Sequence, residues 1–392
     1  MSRVRLPNRL LIVASILITC LTACAGNGDR LAEQQLLQDR ADLENANLSQ
    51  NRAVELQYKA KFDEAEALYL ESLDTYIRIS GEHSVEAARA QTNLASLYVS
   101  ESRHTEAEEL LRKSLATQQE ILGDDAVETA WSMTNLGGLL TTLGQLTEAE
   151  PLLVNSVLIH KTYLDGTDPR TAVALRNLAA FHVVRLKHYD AEPLLSEALQ
   201  IQRNSLSNTH AETIKTVASL AKLYGEMGKY DKALPLANEA LEINGFLHGE
   251  RHPLTARSRN QKALLLWRKG EYANAEQLFE QSLNDQKIAL GEEHQETATT
   301  MEFLGIIKHL DGNQFEARAL LEESLRIKNN HYGEDHFLSA STLYNLGLVH
   351  DALAERKLAN QLFRGALAIQ TRVLGPDHVS TRQSARAVEA TK

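Results

Sequence analysis

A single period of 42 residues governs most of this chain. The pair Asn-Leu recurs as Asn93-Leu94, Asn135-Leu136, Asn177-Leu178 and Asn345-Leu346, and the register positions between hold Ser219-Leu220, Gln261-Lys262 and Phe303-Leu304. A small residue follows each pair, at Ala95, Gly137, Ala179, Ala221, Ala263, Gly305 and Gly347. Further on in every unit comes an alanine: Ala65, Ala107, Ala149, Ala191, Ala233, Ala275, Ala317 and Ala359. The loop glycines Gly81, Gly123, Gly249, Gly291, Gly333 and Gly375 keep the same phase, with Asp165 and Ser207 in the two gaps. Such self-similarity means supersecondary units stacked in a line, each burying its apolar face against its neighbours.

Each unit reads as two antiparallel helices. Across 84–101 the apolar or small positions Ala87, Ala90, Leu94, Ala95, Leu97 and Tyr98 fall three or four apart, one face of a helix. Across 105–121, Ala107, Leu110, Leu111, Ser114 and Leu115 make a second stripe. Gly144, Gly228, Gly270 and Gly312 mark the tight turn between the two in later copies. Aromatic residues are only 5% of the composition, with seven prolines, which suits helix better than sheet.

Lys222-Leu223-Tyr224, Gly228, Tyr230, Ala233 and Ala240-Leu241 follow the signature of the tetratricopeptide repeat closely. A standard unit has 34 residues. The longer unit here, with Leu290-Gly291-Glu292-Glu293-His294 and Leu374-Gly375-Pro376-Asp377-His378 as loops, resembles the repeats of kinesin light chain. The resemblance covers roughly residues 45–390 and implies an all-α, right-handed solenoid of eight helix pairs, with the array at 50–377. Residues 29–49, with Leu31, Leu36, Leu37 and Leu43 among polar residues, are expected to form an N-terminal capping helix. Residues 378–392 are expected to form a polar C-terminal cap and tail, since a solenoid's last face must be made soluble.

Arg3, Arg5 and Arg9 precede an apolar run from Leu10 to Ile18, the layout of a signal peptide over residues 1–23. The run is shorter than the roughly 20 residues a spanning helix needs. Leu21-Thr22-Ala23-Cys24 resembles the lipobox of bacterial lipoproteins, which implies lipidation of Cys24. Cys20, preceded by Thr19, fits that pattern less well. In such lipoproteins Ala25 after the cysteine implies the outer membrane, facing the periplasm. Residues 24–28 leave only a short tether, so the units are expected to project from the membrane for about 80 Å at roughly 10 Å each.

The formal net charge is -11. An acidic chain is a poor match for nucleic acid, whose affinity comes mainly from Lys and Arg on phosphate. With Cys20 and Cys24 as the only cysteines, the folded array holds no disulfide, thiolate metal site or cysteine nucleophile.

The residues that point to function lie on the first helix of each unit. Asn93, Asn135, Asn177 and Asn345 precede a buried leucine and so face the concave side. Stacked at roughly 10 Å, they match about every third residue of an extended peptide. An amide offers both a donor and an acceptor to peptide backbone. In kinesin-light-chain-like repeats, asparagine here is understood to grip an extended peptide. Bonding the neighbouring unit is the alternative role. Gln261, with Ser219 and Phe303, interrupts the ladder; Lys222, Trp267 and Arg268 nearby offer cationic or stacking contacts, or a solvated face with one packed tryptophan.

His210, His252, His294, His336 and His378 also recur every 42 residues. Equivalent side chains about 10 Å apart cannot share one zinc, whose ligands lie about 2.0–2.1 Å from it. They are expected to start the next helix, with Thr213, Thr255, Thr297 and Thr381 three residues on. There is no phosphate loop, Gly-x-Ser-x-Gly elbow or His-Glu-x-x-His helix. The chain thus reads as a non-enzymatic, membrane-anchored scaffold without cofactor, metal or small-molecule substrate, binding a peptide segment of a partner protein in its groove. An assembly factor for an envelope complex (pilotin-like) and an adaptor for an envelope protease remain open.

Overall fold

The computed structural model describes residues 27–59 and 61–392; the expected signal segment, residues 1–23, and Cys24 lie outside the described residues. Those residues form seventeen helices and no strand. The first five are α1 (Asn27–Tyr58), α2 (Phe62–Ser80), α3 (Val85–Ser100), α4 (His104–Leu122) and α5 (Val127–Thr142). Then come α6 (Leu146–Tyr163), α7 (Pro169–Val184), α8 (His188–Ser205), α9 (Ala211–Glu226), α10 (Tyr230–His248) and α11 (Pro253–Lys269). The last are α12 (Tyr272–Leu290), α13 (Gln295–Leu310), α14 (Gln314–Tyr332), α15 (Phe337–Ala352), α16 (Arg356–Leu374) and α17 (Val379–Ala390). Odd-numbered helices pair with the even-numbered helix that follows, giving eight pairs and a final lone helix, an all-α solenoid.

The periodic small residues explain why each pair closes so tightly. Ala65, Ala107, Ala149, Ala191, Ala233, Ala275, Ala317 and Ala359 are all 0% exposed. At Gly347 a Cβ would stand 2.5 Å from the Phe363 ring, and at Gly305 2.8 Å from Leu321 Cγ. The turn inside each of the seven later pairs uses a left-handed residue. Glycine supplies it at Gly144, Gly228, Gly270 and Gly312, but Ser102, Leu186 and Ala354 adopt φ of 66°, 58° and 62° in the other units.

The loops between units use a repeated clamp. Hydroxyls of Thr129, Thr255, Thr297 and Thr381 donate to the carbonyls of Gly123, Gly249, Gly291 and Gly375 at 2.8–2.9 Å. Where Asp165 and Ser207 replace the glycine, the buried hydroxyls of Thr171 and Thr213 have no partner. A second polar link joins three of the units to the next: Asn244 to Ser258 at 2.9 Å, Thr300 to Gln286 at 2.6 Å and Ser384 to Gln370 at 2.7 Å.

Two expectations change at the N-terminal end. No glycine or proline interrupts residues 29–58, so the expected boundary at 49/50 falls inside the single helix α1, which also takes in Asn27 and Gly28. Leu31, Leu36 and Leu37 are 67%, 69% and 54% exposed rather than packed as a cap, and contact with α2 begins near Asp39 and Asp42, which pair with Arg78. At the other end α17 caps the array, held by Asn360 Nδ2 on the Val388 carbonyl at 2.9 Å.

The array does not project as a straight 80 Å stack. Each unit adds a small rotation, and the sum brings later units onto earlier ones. His294 Nε2 lies 3.3 Å from the Ser100 carbonyl and His336 Nε2 2.8 Å from the Thr142 carbonyl, both 194 residues apart. His104 stacks on Tyr332 with ring centroids 5.1 Å apart. The solenoid is a coil whose second turn rests on its first.

Candidate functional site

The concave face is the inner wall of this coil, lined by the odd-numbered helices. All seven ladder positions are half-buried, showing part of each side chain to the inner side. Their donors, however, are largely engaged. Asn93 Nδ2 donates to Gln50 Oε1 at 2.7 Å, Asn177 Nδ2 to the Thr134 carbonyl at 3.1 Å, and Asn345 Nδ2 to Glu302 Oε1 at 2.9 Å. Gln261 Nε2 donates to the Ala218 carbonyl. Each acceptor stands 43 residues earlier, on the preceding unit. Asn135 instead turns back to the Trp131 carbonyl at 2.8 Å. The amides therefore tie unit to unit through their N–H groups, while among the described residues no donor reaches the side-chain oxygens of Asn135 and Asn177. A backbone or hydroxyl donor of a ligand fits there.

Those two residues share a cavity. Asn135, Asn177, Ser96, Gly138, Thr142 and Ala180 line a crevice of 260 Å³ on the inner wall. The Asn177 amide packs over Gly138, where a Cβ would come 2.9 Å from Asn177 Nδ2 and make the amide shift. Polar amides, a bare glycine and small side chains leave room for an extended backbone.

The later ladder residues go elsewhere. Ser219 Oγ donates to the Lys215 carbonyl at 2.9 Å, and Phe303 stacks on Phe279 with centroids 5.2 Å apart. Trp267 packs against the cluster of Ala263, Leu266, Phe279 and Leu304 between units, so the stacking role considered for it gives way to core packing. Lys222 is exposed.

Two charged constellations have no counterpart in the sequence reading. Lys328 is 0% exposed, with Nζ on Glu302 and 3.0 Å from Thr342 Oγ1. Glu302 also accepts from Ser341 at 3.0 Å and from Asn345, so Asn345 belongs to a buried ion-pair network and not to an open ladder. The second lies where the turns meet. Glu212 pairs with Arg176 at 2.8 Å and Lys215 at 2.7 Å. Burial alone would raise its pKa, but the two cations overcome that and hold it down to about 2. Lys215 Nζ sits 5.5 Å over the ring of Tyr58 from the first unit, and burial with Glu212 nearby pushes the Tyr58 hydroxyl up to about 12. Single Lys and Glu positions inside otherwise variable columns could signal such pairs only if the partner unit were known.

Among the described residues no helix is long and apolar enough to cross a membrane.

Comparison with known proteins agrees with this geometry. The sequence profile described as tetratricopeptide repeat matches residues 43–120, 86–156, 170–245, 221–287, 254–330 and 296–367. A search of curated protein sequences gives no match. A Rap protein solved in complex with competence and sporulation factor aligns at a TM-score of 0.61 and 14% identity, over 89% of this chain and 98% of that one. The apo form of RapI aligns at 0.51 and 13% identity, over 77% of this chain and 99% of that one. A Podosopora anserina putative kinesin light chain with nearly identical TPR-like repeats is 26% identical over 51% of this chain and 94% of its own, at a TM-score of 0.41. The chain belongs to the tetratricopeptide repeat family, as a helical-repeat scaffold for protein–protein interaction.

Proposed function

We propose that this protein is a lipid-anchored scaffold of the bacterial cell envelope that holds an extended segment of another protein against its inner wall. The observation that carries the reading is the crevice between Asn135 and Asn177, where two amide oxygens without protein donors flank the bare Gly138. A bound backbone N–H would satisfy each oxygen, and the small side chains around them admit main chain closely. The lipobox-like residues ending at Cys24 support anchoring, at the outer membrane and facing the periplasm. The Rap neighbour, a coil of the same class, was solved with its factor bound.

The test is affinity capture from envelope membranes with the wild type and with Asn135→Ala combined with Asn177→Ala. Loss of a hydrogen-bond partner costs about 1–3 kcal/mol. The expected result is a partner that the wild type retains and the double variant releases, with the helical content of the variant unchanged. Equal retention by both proteins would refute the reading.

A further inference from the structure

Five histidines occupy one register position. His210 is exposed and only caps α9, accepting from the Glu212 N–H at 3.2 Å, while the other four face one kind of partner. His294 and His336 bond the terminal carbonyls of α3 and α5, 194 residues earlier. At the same separation His252 faces the backbone of Tyr58, with its Nε2 short of a bond, and His378 faces that of Val184 across a crevice. In each case the other ring nitrogen caps a helix. Nδ1 of His252, His294, His336 and His378 accepts from the backbone N–H two residues on, at 3.1–3.2 Å. At His294 and His336 one imidazole thus satisfies an orphan carbonyl at the end of one helix and an orphan N–H at the start of another. The partners decide the tautomer: a backbone N–H can only donate and a carbonyl only accept, so the ring is neutral with its proton on Nε2.

The same register position reads Ser84, Ala126 and Asp168 in the first turn of the coil. Ser84 and Asp168 cap their helices by side-chain oxygens, accepting from Ala87 and Arg170. Histidine is therefore not needed for the cap. It stands at all four positions that lie on an earlier turn, as well as at the exposed His210, and at His294 and His336 the far side of the ring reaches a carbonyl.

We propose that these four histidines form an acid-released clasp that holds the second turn of the coil on the first. A proton added to Nδ1 abolishes the cap acceptor and puts positive charge at the positive end of a helix. The surroundings reinforce this. His294 faces His331, Arg257 and His104, with Glu296 as a favourable neighbour; His336 faces His104 and Lys328, beside the rings of Tyr332 and Phe337. His252 faces His248, and His378 faces Arg185 and Arg382. Burial favours the neutral ring in all four. The open coil takes up protons near the ordinary histidine value and the closed coil only at lower pH. The opening equilibrium therefore shifts up to about tenfold per histidine for each pH unit below about 6.5. Whether the clasp also governs entry of a partner segment rests on the reading above; the clasp itself does not, and the test below involves no partner.

The experiment is size-exclusion-coupled small-angle X-ray scattering with far-ultraviolet circular dichroism on the full-length chain. It compares wild type with His294→Asn combined with His336→Asn, at about pH 7.5 and about pH 4.8, on either side of the ordinary histidine value. Asparagine keeps the cap but neither reaches the far carbonyl nor ionises in this range. The clasp predicts that the wild type gains radius of gyration at the lower pH with its helicity retained. The double variant should already be expanded at the higher pH and change less between the two. Identical wild-type scattering at both values, a variant as compact as wild type at pH 7.5, or expansion only with loss of helicity would each overturn the proposal.

Discussion

His336 Nε2 lies 2.8 Å from the carbonyl of Thr142, the last residue of α5, while its Nδ1 receives the N–H of Leu338 at 3.2 Å. One ring closes two helix ends that belong to different turns of the coil. His336→Ala removes both contacts, and a lost cap plus a lost hydrogen bond amounts to about 2 kcal/mol. His336→Asn restores the cap and should recover about half of that. Urea unfolding at neutral pH measures both, and equal stability of the two variants would show that the cap contributes nothing.

The pH dependence of stability follows from the same ring. Burial, above all, and the charges of His104 and Lys328 pull the His336 pKa down to about 4, from about 6.5 in an unfolded chain. Its neutral form is thus preferred in the folded state. The contribution is full above pH 6.5 and declines as pH falls toward 4, by about 3 kcal/mol in all. Unfolding midpoints between pH 7 and 4.5 should fall more steeply for wild type than for His336→Asn.

Gly347 faces the ring of Phe363, where an added Cβ would come within 2.5 Å. Gly347→Ala gains up to about 1 kcal/mol of helix propensity but forces the buried ring to move, which costs about 1–3 kcal/mol. The net expectation is destabilisation, read as a lower melting temperature. An unchanged or higher value would mean that the α15–α16 contact is looser than its geometry.

Ala354 holds φ of 62° in the turn between α15 and α16, where other units use glycine. A left-handed residue with a Cβ costs about 1–2 kcal/mol, partly offset by the backbone entropy glycine loses. Ala354→Gly should raise stability by up to about 1 kcal/mol in urea unfolding.

Lys328 and Glu302 form an ion pair inside the protein, at 0% and 6% exposure. Lys328→Met strands the carboxylate and should cost about 3–5 kcal/mol. Lys328→Gln with Glu302→Thr copies what other units carry at these positions, such as Gln286 and Thr134, and should recover most of the loss. A double variant as unstable as the single one would contradict the ion-pair account.

The unit was legible because its cause is local. Alanine and glycine at fixed phase let two helices touch, and Ala107 against α3 is the same contact as Ala317 against α13. The helix-starting role of the histidines was likewise local, set by the N–H two residues on. What the periodicity could not convey is how small rotations add up. Nothing near Ser100 announces His294, because their meeting depends on the four units between them. The asparagine ladder was ambiguous for a related reason: an amide that suits a bound backbone suits the Thr134 carbonyl of the previous unit equally well, and Asn177 uses it so. Lys328 and Glu302 gave no signal in the sequence because each makes sense only opposite the other. Residues 29–49 were read as a separate cap for want of any signal of where one helix would pass into the next unit.

The proposed place of a partner segment is the inner wall between Asn135 and Asn177. Photocrosslinking in the native cell tests it most directly, with a photoreactive residue at position 177 and a control at the exposed position 109. The expected result is a discrete adduct from 177 that Asn135→Ala weakens, and none of the same mass from 109. Adducts from 109 alone, with 177 silent, would contradict it.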